Sequence, residues 1–381
     1  MPMKTLITPL LAAALLTASG AGHAQVDRYG YKLPPSMQQK AKKKKAPPVK
    51  KKAVPAIDYV GEYVNFGEWK EVRAFLDDVA NRNGFDRKEL DTLMAQVRYV
   101  DATVQLVKPA PPGKPKNWNA YRALTIESTR VDGGVKFWND NAEALSRAEA
   151  LYGIPAEIIV GIIGVETVYG RVTGRFRVVD ALTTLAFSYP EAPQRAARME
   201  FFRGELEATL VFARRDGIDP LSLRGSFAGA MGMPQFMPSS LIKYAVDFDG
   251  SGHIDLLGSS TDAIGSVAAF LAAHGWEREN GGPLVYAATA SPAKAWEPML
   301  HQGLTAKYPP QDLIAAGVTT TVPVPEQQTY GLVDLQNGAD PTEYWLANSN
   351  FFAITQYNRS YFYAMSVIEL GRAVRLARGG L

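Results

Sequence analysis

From Ile158 to Val165 every residue is apolar or glycine, and the run ends in a carboxylate, Glu166. Pro155, with its fixed φ and missing N–H, suits the first turn of a helix. A helix that is apolar on all sides belongs in an interior, so the chain should be mainly α and packed around this element. Gly161 and Gly164 weaken a helix, which makes sense where another backbone or a ligand comes close. Glu157 lies nine residues before Glu166, half a turn out of phase at about 100° per residue. The two acids are therefore expected on opposite sides, with Glu157 solvated in the first turn. Glu166 meets the negative end of the helix dipole, before Gly170. Burial and dipole both disfavour its charge, so its pKa should be raised, as a general acid near neutral pH requires. The alternative is a structural ion pair with Arg171 or Arg175.

Residues 1–24 read as a signal peptide: Lys4, an apolar run from Leu6 to Leu16, then Gly22-His23-Ala24 before Gln25. That run is too short to span a bilayer. The chain has no Cys, which excludes a lipobox anchor and any disulfide, and a soluble periplasmic product is expected. Residues 25–57 read as a disordered basic linker rich in Lys and Pro. The formal charge of the whole chain is +3, but residues 1–52 carry +10, largely in Lys42–Lys45 and Lys50–Lys52, leaving an acidic remainder at −7. Such a tail cannot bury enough apolar area to fold. It is either a tether to an anionic surface or a solvated spacer. The acidic body argues against nucleic acid as a partner.

Along residues 58–381, the spacing of Phe66, Trp69, Val72, Phe75, Leu76 and Val79, then of Leu90, Leu93, Val97 and Val100, predicts helices over 62–107. A Pro-rich break from Pro109 to Pro115 precedes Trp118, Tyr121 and Arg122 and then a further helical pattern through Val135, Phe137 and Leu145. Helices are expected again over 180–215, interrupted at Pro190 and Pro193. Arg195 and Arg198 beyond that loop are either faced to an anionic ligand or ordinary surface charges. The stretch 283–340 carries weak strand and turn patterns, and helix is expected from Tyr344 to Leu376.

Three further stretches carry chemistry. In Gly225–Ser239, glycines at 225, 229 and 232 permit close backbone approach, Ser226 and Gln235 are neutral hydrogen-bonding groups, and Met231, Phe236 and Met237 offer an adaptable apolar wall. That mixture suits a sugar better than a phosphate, because P-loop order is missing; a packed core loop is the alternative. In Asp247–Asp255, oxygen ligands at Asp247, Asp249 and Ser251, a glycine at 252 and the His253 carbonyl form the first part of an EF-hand loop. Position twelve is Gly258 and the next acid is Asp262, so the alternatives are a Ca²⁺ clip closed from a longer loop and an Asp-rich turn. In Ile354–Ala364, Tyr357, Asn358 and Tyr363 combine aromatic platforms with polar tips suited to sugar rings, although Tyr361 and Tyr363 also fit a core.

In this order the four stretches resemble the B-type lytic murein transglycosylases. The matching motifs are Val-Gly-Ile-Ile-Gly-Val-Glu-Thr, Gly-Ala-Met-Gly-x-x-Gln-Phe-Met-Pro-Ser, Asp-Phe-Asp-Gly-x-Gly-His-Ile and Thr-Gln-Tyr-Asn, over about residues 62 to 378. The resemblance implies a lysozyme-like helical core with an added helical domain and a small mixed α/β subdomain. On this chain that means a helical scaffold over 62–150, the core over 151–280, the mixed subdomain over 281–343 and a C-terminal helical segment over 344–381. It implies cleavage of the MurNAc–GlcNAc β-1,4 bond of peptidoglycan with a 1,6-anhydro-MurNAc product, using Glu166 as sole acid/base. It places Ser226 against the Glu166 carboxyl, and Gln235, Phe236, Met231, Tyr121, Arg198, Tyr357, Asn358 and Tyr363 along the glycan. A structural Ca²⁺ would be held by Asp247, Asp249, Ser251, His253 and Asp262, with no organic cofactor. The implied partners are glycan strands, with wall-synthesis proteins as further candidates and a monomer as the expected state. One departure stands out: Ala269-Phe270 occupies a place where the family commonly has Asn-Tyr. The rival readings are a hydrolytic muramidase on the same fold and a non-catalytic peptidoglycan-binding protein.

Overall fold

The computed structural model describes residues 57–108, 113 and 115–379. The expected leader, nearly all of the basic linker and most of the Pro109–Pro115 break lie outside the described residues. The helices are α1 (Lys70–Asn83), α2 (Arg87–Met94), α3 (Asp101–Val107), α4 (Trp118–Thr125), α5 (Ser128–Asp140), α6 (Ala142–Tyr152), α7 (Ala156–Thr167), α8 (Val178–Ser188), α9 (Arg195–Arg215), α10 (Pro238–Tyr244), α11 (Ser260–Ala273), α12 (Pro310–Ala315), α13 (Ser349–Thr355) and α14 (Tyr361–Ala377). The strands are β1 (Glu62–Tyr63), β2 (Arg98–Tyr99), β3 (Phe176–Arg177), β4 (Arg224–Gly225), β5 (Val285–Ala290), β6 (Val318–Thr320), β7 (Gly331–Asn337) and β8 (Asp340–Ala347). The protein is thus mainly α, as expected. Among the described residues no single helix is long and apolar enough to cross a membrane.

Local chemistry sets the helix ends. The side chains of Asp86, Asn117, Ser259, Asn348 and Ser360 accept first-turn backbone N–H groups of α2, α4, α11, α13 and α14, which removes one orphan donor from each. The apolar run becomes α7, and Ile158, Ile159, Val160, Ile162 and Ile163 are all buried. It lies antiparallel to α14: Gly161 faces Val367, and Gly371 faces Glu157. A Cβ at Gly161 would stand 2.3 Å from the Val367 carbonyl oxygen, and one at Gly371 2.0 Å from that of Glu157. The close approach expected at Gly161 is therefore backbone against backbone. Glu157 is only partly solvated, because the last turns of α14 lie against it. Its carboxyl pairs with Arg375 Nε at 2.5 Å, and burial raises its pKa against the opposing effect of that arginine.

A four-stranded antiparallel sheet, ordered β6-β5-β8-β7, fills the mixed region. It covers a small core of its own made of Tyr286, Trp296, Leu313, Val318, Tyr330, Leu332 and Leu346. The expected return to helix at Tyr344 is corrected here. β8 continues to Ala347, with Tyr344, Trp345, Leu346 and Ala347 paired to β5 and β7, and helix resumes at Ser349. Aromatic and branched residues at 344–346 fit a pleated surface and were indistinguishable from the start of an apolar helix. The helical expectation over 62–107 likewise gives way, at its start and between α2 and α3, to the short β1–β2 pair.

Candidate active site

Glu166 lies one residue before the end of α7 and is half-buried. The Tyr363 hydroxyl donates to its Oε1 at 2.7 Å. Tyr363 is itself 2% exposed, and Ser360, the N-cap of α14, fixes the turn that carries it by accepting the Tyr363 N–H. Burial raises the Glu166 pKa to about 7, although the Tyr363 hydrogen bond works in the other direction. Two more phenols feel the same carboxyl. Tyr121 and Tyr357 are raised first by burial and then by the Glu166 charge, and Tyr363 is raised for the same reasons. The rings of Tyr357 and Tyr363 lie stacked, 6.3 Å apart. The acid thus sits among neutral hydroxyls in a partly dry pocket. The alternative ion pair is not formed: Arg171 is exposed, and the Arg175 guanidinium lies over the Tyr59 ring, 4.7 Å from its centre.

The chain leaves the acid through a strained turn. Val168 and Tyr169 both have left-handed backbones, at φ 51° and 60°. For a β-branched residue this is an outlier that costs on the order of 1–3 kcal/mol. Two side chains hold the turn. The fully buried Thr167 hydroxyl donates to the Met233 carbonyl at 2.9 Å and accepts the Gly170 N–H at 3.0 Å. Arg130 Nε donates to the Gly164 carbonyl at 3.0 Å, putting a cation on the carbonyl end of α7. Sequence reasoning missed both positioning residues. Thr167 carries a readable signal, a hydroxyl closing an apolar run, whereas Arg130 is 34 residues from its target and carries none.

The Gly/Met segment reaches the site with a division of labour that differs from the expected one. Ser226 does not bond Glu166; its Oγ accepts the Ala228 and Ala230 N–H groups at 3.3 and 3.0 Å and so shapes its own loop. Tyr363 occupies the role expected of it. Gln235, left-handed at φ 52°, donates its amide to the carbonyls of Thr173 and Gly232, tying the loop to the segment after α7. Phe236 and Met231 are 2% and 3% exposed, so they stand behind the groove and do not line it. Phe236 supports the Tyr357 ring at 5.8 Å, and the Tyr357 hydroxyl donates to the Pro234 carbonyl at 2.6 Å. Phe270 packs on His274, with ring centres 3.9 Å apart, and against Tyr357 at 4.7 Å, so the departure at 270 lies directly behind the platform. Asn358 is exposed beside it, while Arg198 is exposed in the first turn of α9 and has no ion pair among the described residues.

In the acidic loop, carboxylate oxygens of Asp247, Asp249 and Asp262 all lie within 4.8 Å of one another. Asp247 accepts the N–H groups of Gly250, Ser251 and Gly252. Asp262, fully buried at the start of α11, accepts those of Phe248, Asp249 and Asp255. The Ser251 hydroxyl lies 3.0 Å from the His253 carbonyl oxygen. Asp249 is held below the usual carboxylate range, first by the Ser259 hydroxyl.

Comparison with known proteins agrees with this architecture. The model of the transglycosylase SLT domain matches residues 67–372. The membrane-bound lytic murein transglycosylase B of Escherichia coli (strain K12) is 45% identical over 323 residues, covering 82% of this chain and 85% of that protein. The crystal structure of the soluble lytic transglycosylase SltB1 of Pseudomonas aeruginosa superposes with a TM-score of 0.73 at 43% identity, over 81% of this chain and all of that one. The Escherichia coli lytic transglycosylase Slt35, solved in complex with calcium, gives 0.73 at 43% identity, over 84% and 97%. The motifs, the helical fold and a match across most of the chain lead to one conclusion: this protein belongs to the transglycosylase SLT domain family.

Proposed function

We propose that this lytic murein transglycosylase works with Glu166 as its single acid and base. The observation that carries the reading is the carboxyl itself, half-buried at the end of α7, bonded by the Tyr363 hydroxyl at 2.7 Å and by no second carboxylate among the described residues, with burial raising its pKa to about 7. A glycosidase that hydrolyses with retention or inversion generally needs a second carboxylate opposite the acid; a substrate that supplies its own nucleophile does not. Protonated Glu166 gives its proton to the MurNAc–GlcNAc bridging oxygen, and the C1–O bond breaks. The resulting carboxylate accepts the proton of the MurNAc C6 hydroxyl as that oxygen bonds to C1, which closes the 1,6-anhydro ring and restores the acid. Tyr363 steadies the carboxylate between the two steps, with Tyr121, Tyr357 and Asn358 offering rings and polar tips to the glycan.

The acidic loop is assigned to a structural Ca²⁺. Converging carboxylates, an orienting backbone and the nearby His253 carbonyl fit a hard cation, and the related Slt35 was solved with calcium. Asp247, Asp249, Ser251, the His253 carbonyl and Asp262 would hold it, clipping the loop to α11. The leader pattern at residues 1–24 and a peptidoglycan substrate together support a periplasmic site of action.

The test is a digest of purified peptidoglycan with the wild type and Glu166→Gln, read by mass spectrometry. Muropeptides lighter by one water than the reducing forms, and missing with Glu166→Gln, are expected. Reducing ends from the wild type would instead establish a hydrolytic muramidase.

A further inference from the structure

The short helix α4 carries Tyr121, and its pose is fixed at three points. At its start, the Asn337 side chain of β7 accepts the Asn119 N–H at 2.8 Å, and the Gly338 N–H donates to the Lys116 carbonyl at 2.8 Å. At its end, Arg130 Nη1 donates to the Leu124 carbonyl at 2.7 Å, while Nε of the same guanidinium holds the Gly164 carbonyl of α7. One arginine thus spans the gap between α4 and the helix that carries the acid. In the middle, immediately after Tyr121, Arg122 pairs with Glu369 of α14, their side chains only 12% and 3% exposed. α14 therefore carries both the hydroxyl that holds Glu166 and, six residues on, the carboxylate that holds α4.

A buried ion pair returns little stability, because desolvation of the two charges offsets their attraction, and apolar side chains of similar volume often serve as well. What such a pair fixes is geometry, since a planar guanidinium meets a carboxylate in a defined orientation. Here that orientation sets α4 against α14 at the level of Tyr121. The Tyr121 ring packs edge-on to Phe362 at 5.6 Å and stacks on Trp118 at 6.2 Å, and Phe362 is the neighbour of Tyr363. The half-buried ring also lines a cavity of about 330 Å³, shared with Ser360 and Tyr361 of the α14 entry and with Gln336 of β7. Tyr121 therefore stands between packed aromatic rings and open space, where a small shift of α4 would move it. We propose that Arg122 and Glu369 are positioning residues for the glycan: they hold the Tyr121 ring at the groove and bear on substrate binding, not on the acid. The proposal rests on the peptidoglycan activity argued above.

The substrate is glycan strand stripped of its stems by an amidase, and the readouts are KM, kcat and the pH dependence of kcat. Removing Arg122 alone would strand the Glu369 charge in the interior, so the two are replaced together, as Arg122→Met with Glu369→Leu. Should that variant not fold, Arg122→Lys keeps the charge and loses the fork, with a smaller effect in the same direction. KM should rise about five- to tenfold, the scale of one aromatic contact. The kcat and its pH profile should hold, the pattern of lost binding that ground and transition states share. The same paired replacement made on Tyr121→Ala should raise KM no further, because residues acting through one group are not additive. An unchanged KM, a lower kcat with a displaced alkaline limb, or an equal further rise on Tyr121→Ala would overturn the assignment. Strands bound but not cut by the wild type would remove the transglycosylase reading instead. The same comparison is then made on Kd by calorimetry, where non-additivity with Tyr121→Ala would leave the positioning role standing and additivity would end it.

Discussion

Replacing Glu166 by Gln should make this protein more stable, and only above a particular pH. The carboxyl has an ordinary value of 4.5 and is raised to about 7 in the fold. Between those values the folded chain holds a proton that the unfolded chain has released, so unfolding free energy falls as pH rises. The cost is absent below about 4.5, grows across the window and is complete above about 7. At about 1.36 kcal/mol per unit it approaches 3 kcal/mol, reduced somewhat because the carboxyl is only half-buried. Gln keeps the shape, accepts the Tyr363 hydroxyl and never ionises. With an unfolding entropy of about 2.1 cal/mol/K per residue over the roughly 320 described residues, the gain corresponds to about 3–5 °C. Differential scanning calorimetry of both proteins at pH 4 and pH 8 reads it directly. The Tm values should coincide at pH 4 and separate by that amount at pH 8. Equal Tm values at pH 8, or the same separation at both, would mean that the acid is not held neutral by its surroundings, and the argument for a general acid would go with it.

Removing the Tyr363 hydroxyl as Tyr363→Phe takes away the bond that favours the charged acid. The alkaline limb of the pH–rate profile should then move up by as much as about one unit, with a lower maximum; an unmoved limb would show that the contact at 2.7 Å is without consequence. Gly371→Ala drives a methyl against the Glu157 carbonyl, backbone that cannot turn aside, and should cost about 1–3 kcal/mol in denaturant unfolding. Ca²⁺ at a hundred times its Kd should add about 2.7 kcal/mol, so chelation should lower the Tm while turnover at a permissive temperature persists; melting indifferent to Ca²⁺ would sink the metal site.

What the sequence makes legible here is whatever rests on local pattern. The apolar run ending in an acid announces a buried helix and a raised pKa, and Asp247-x-Asp249-x-Ser251 announces a loop that gathers oxygen atoms. Partnerships across the chain were not legible. Ser226 and Tyr363 are both hydroxyls within the stretches that carry chemistry, and only the packing of α14 on α7 decides which of them reaches Glu166. Phe236 and Met231 look the same in sequence whether they line a groove or back it. Glu157 reads as a solvated first-turn acid until Arg375 covers it.

The acid and its hydroxyl donor are 197 residues apart, and their meeting closes a long loop in the catalytic centre. Contacts so distant form late, after the intervening chain has collapsed. Until α14 seats on α7, Glu166 is an ordinary carboxylate, ionised at neutral pH and with no proton to give. Folding order thus acts as a safety catch on a wall-cutting enzyme: an incomplete chain, or one whose last helix has been nicked loose, can carry every residue of the Glu166 helix and still be inert.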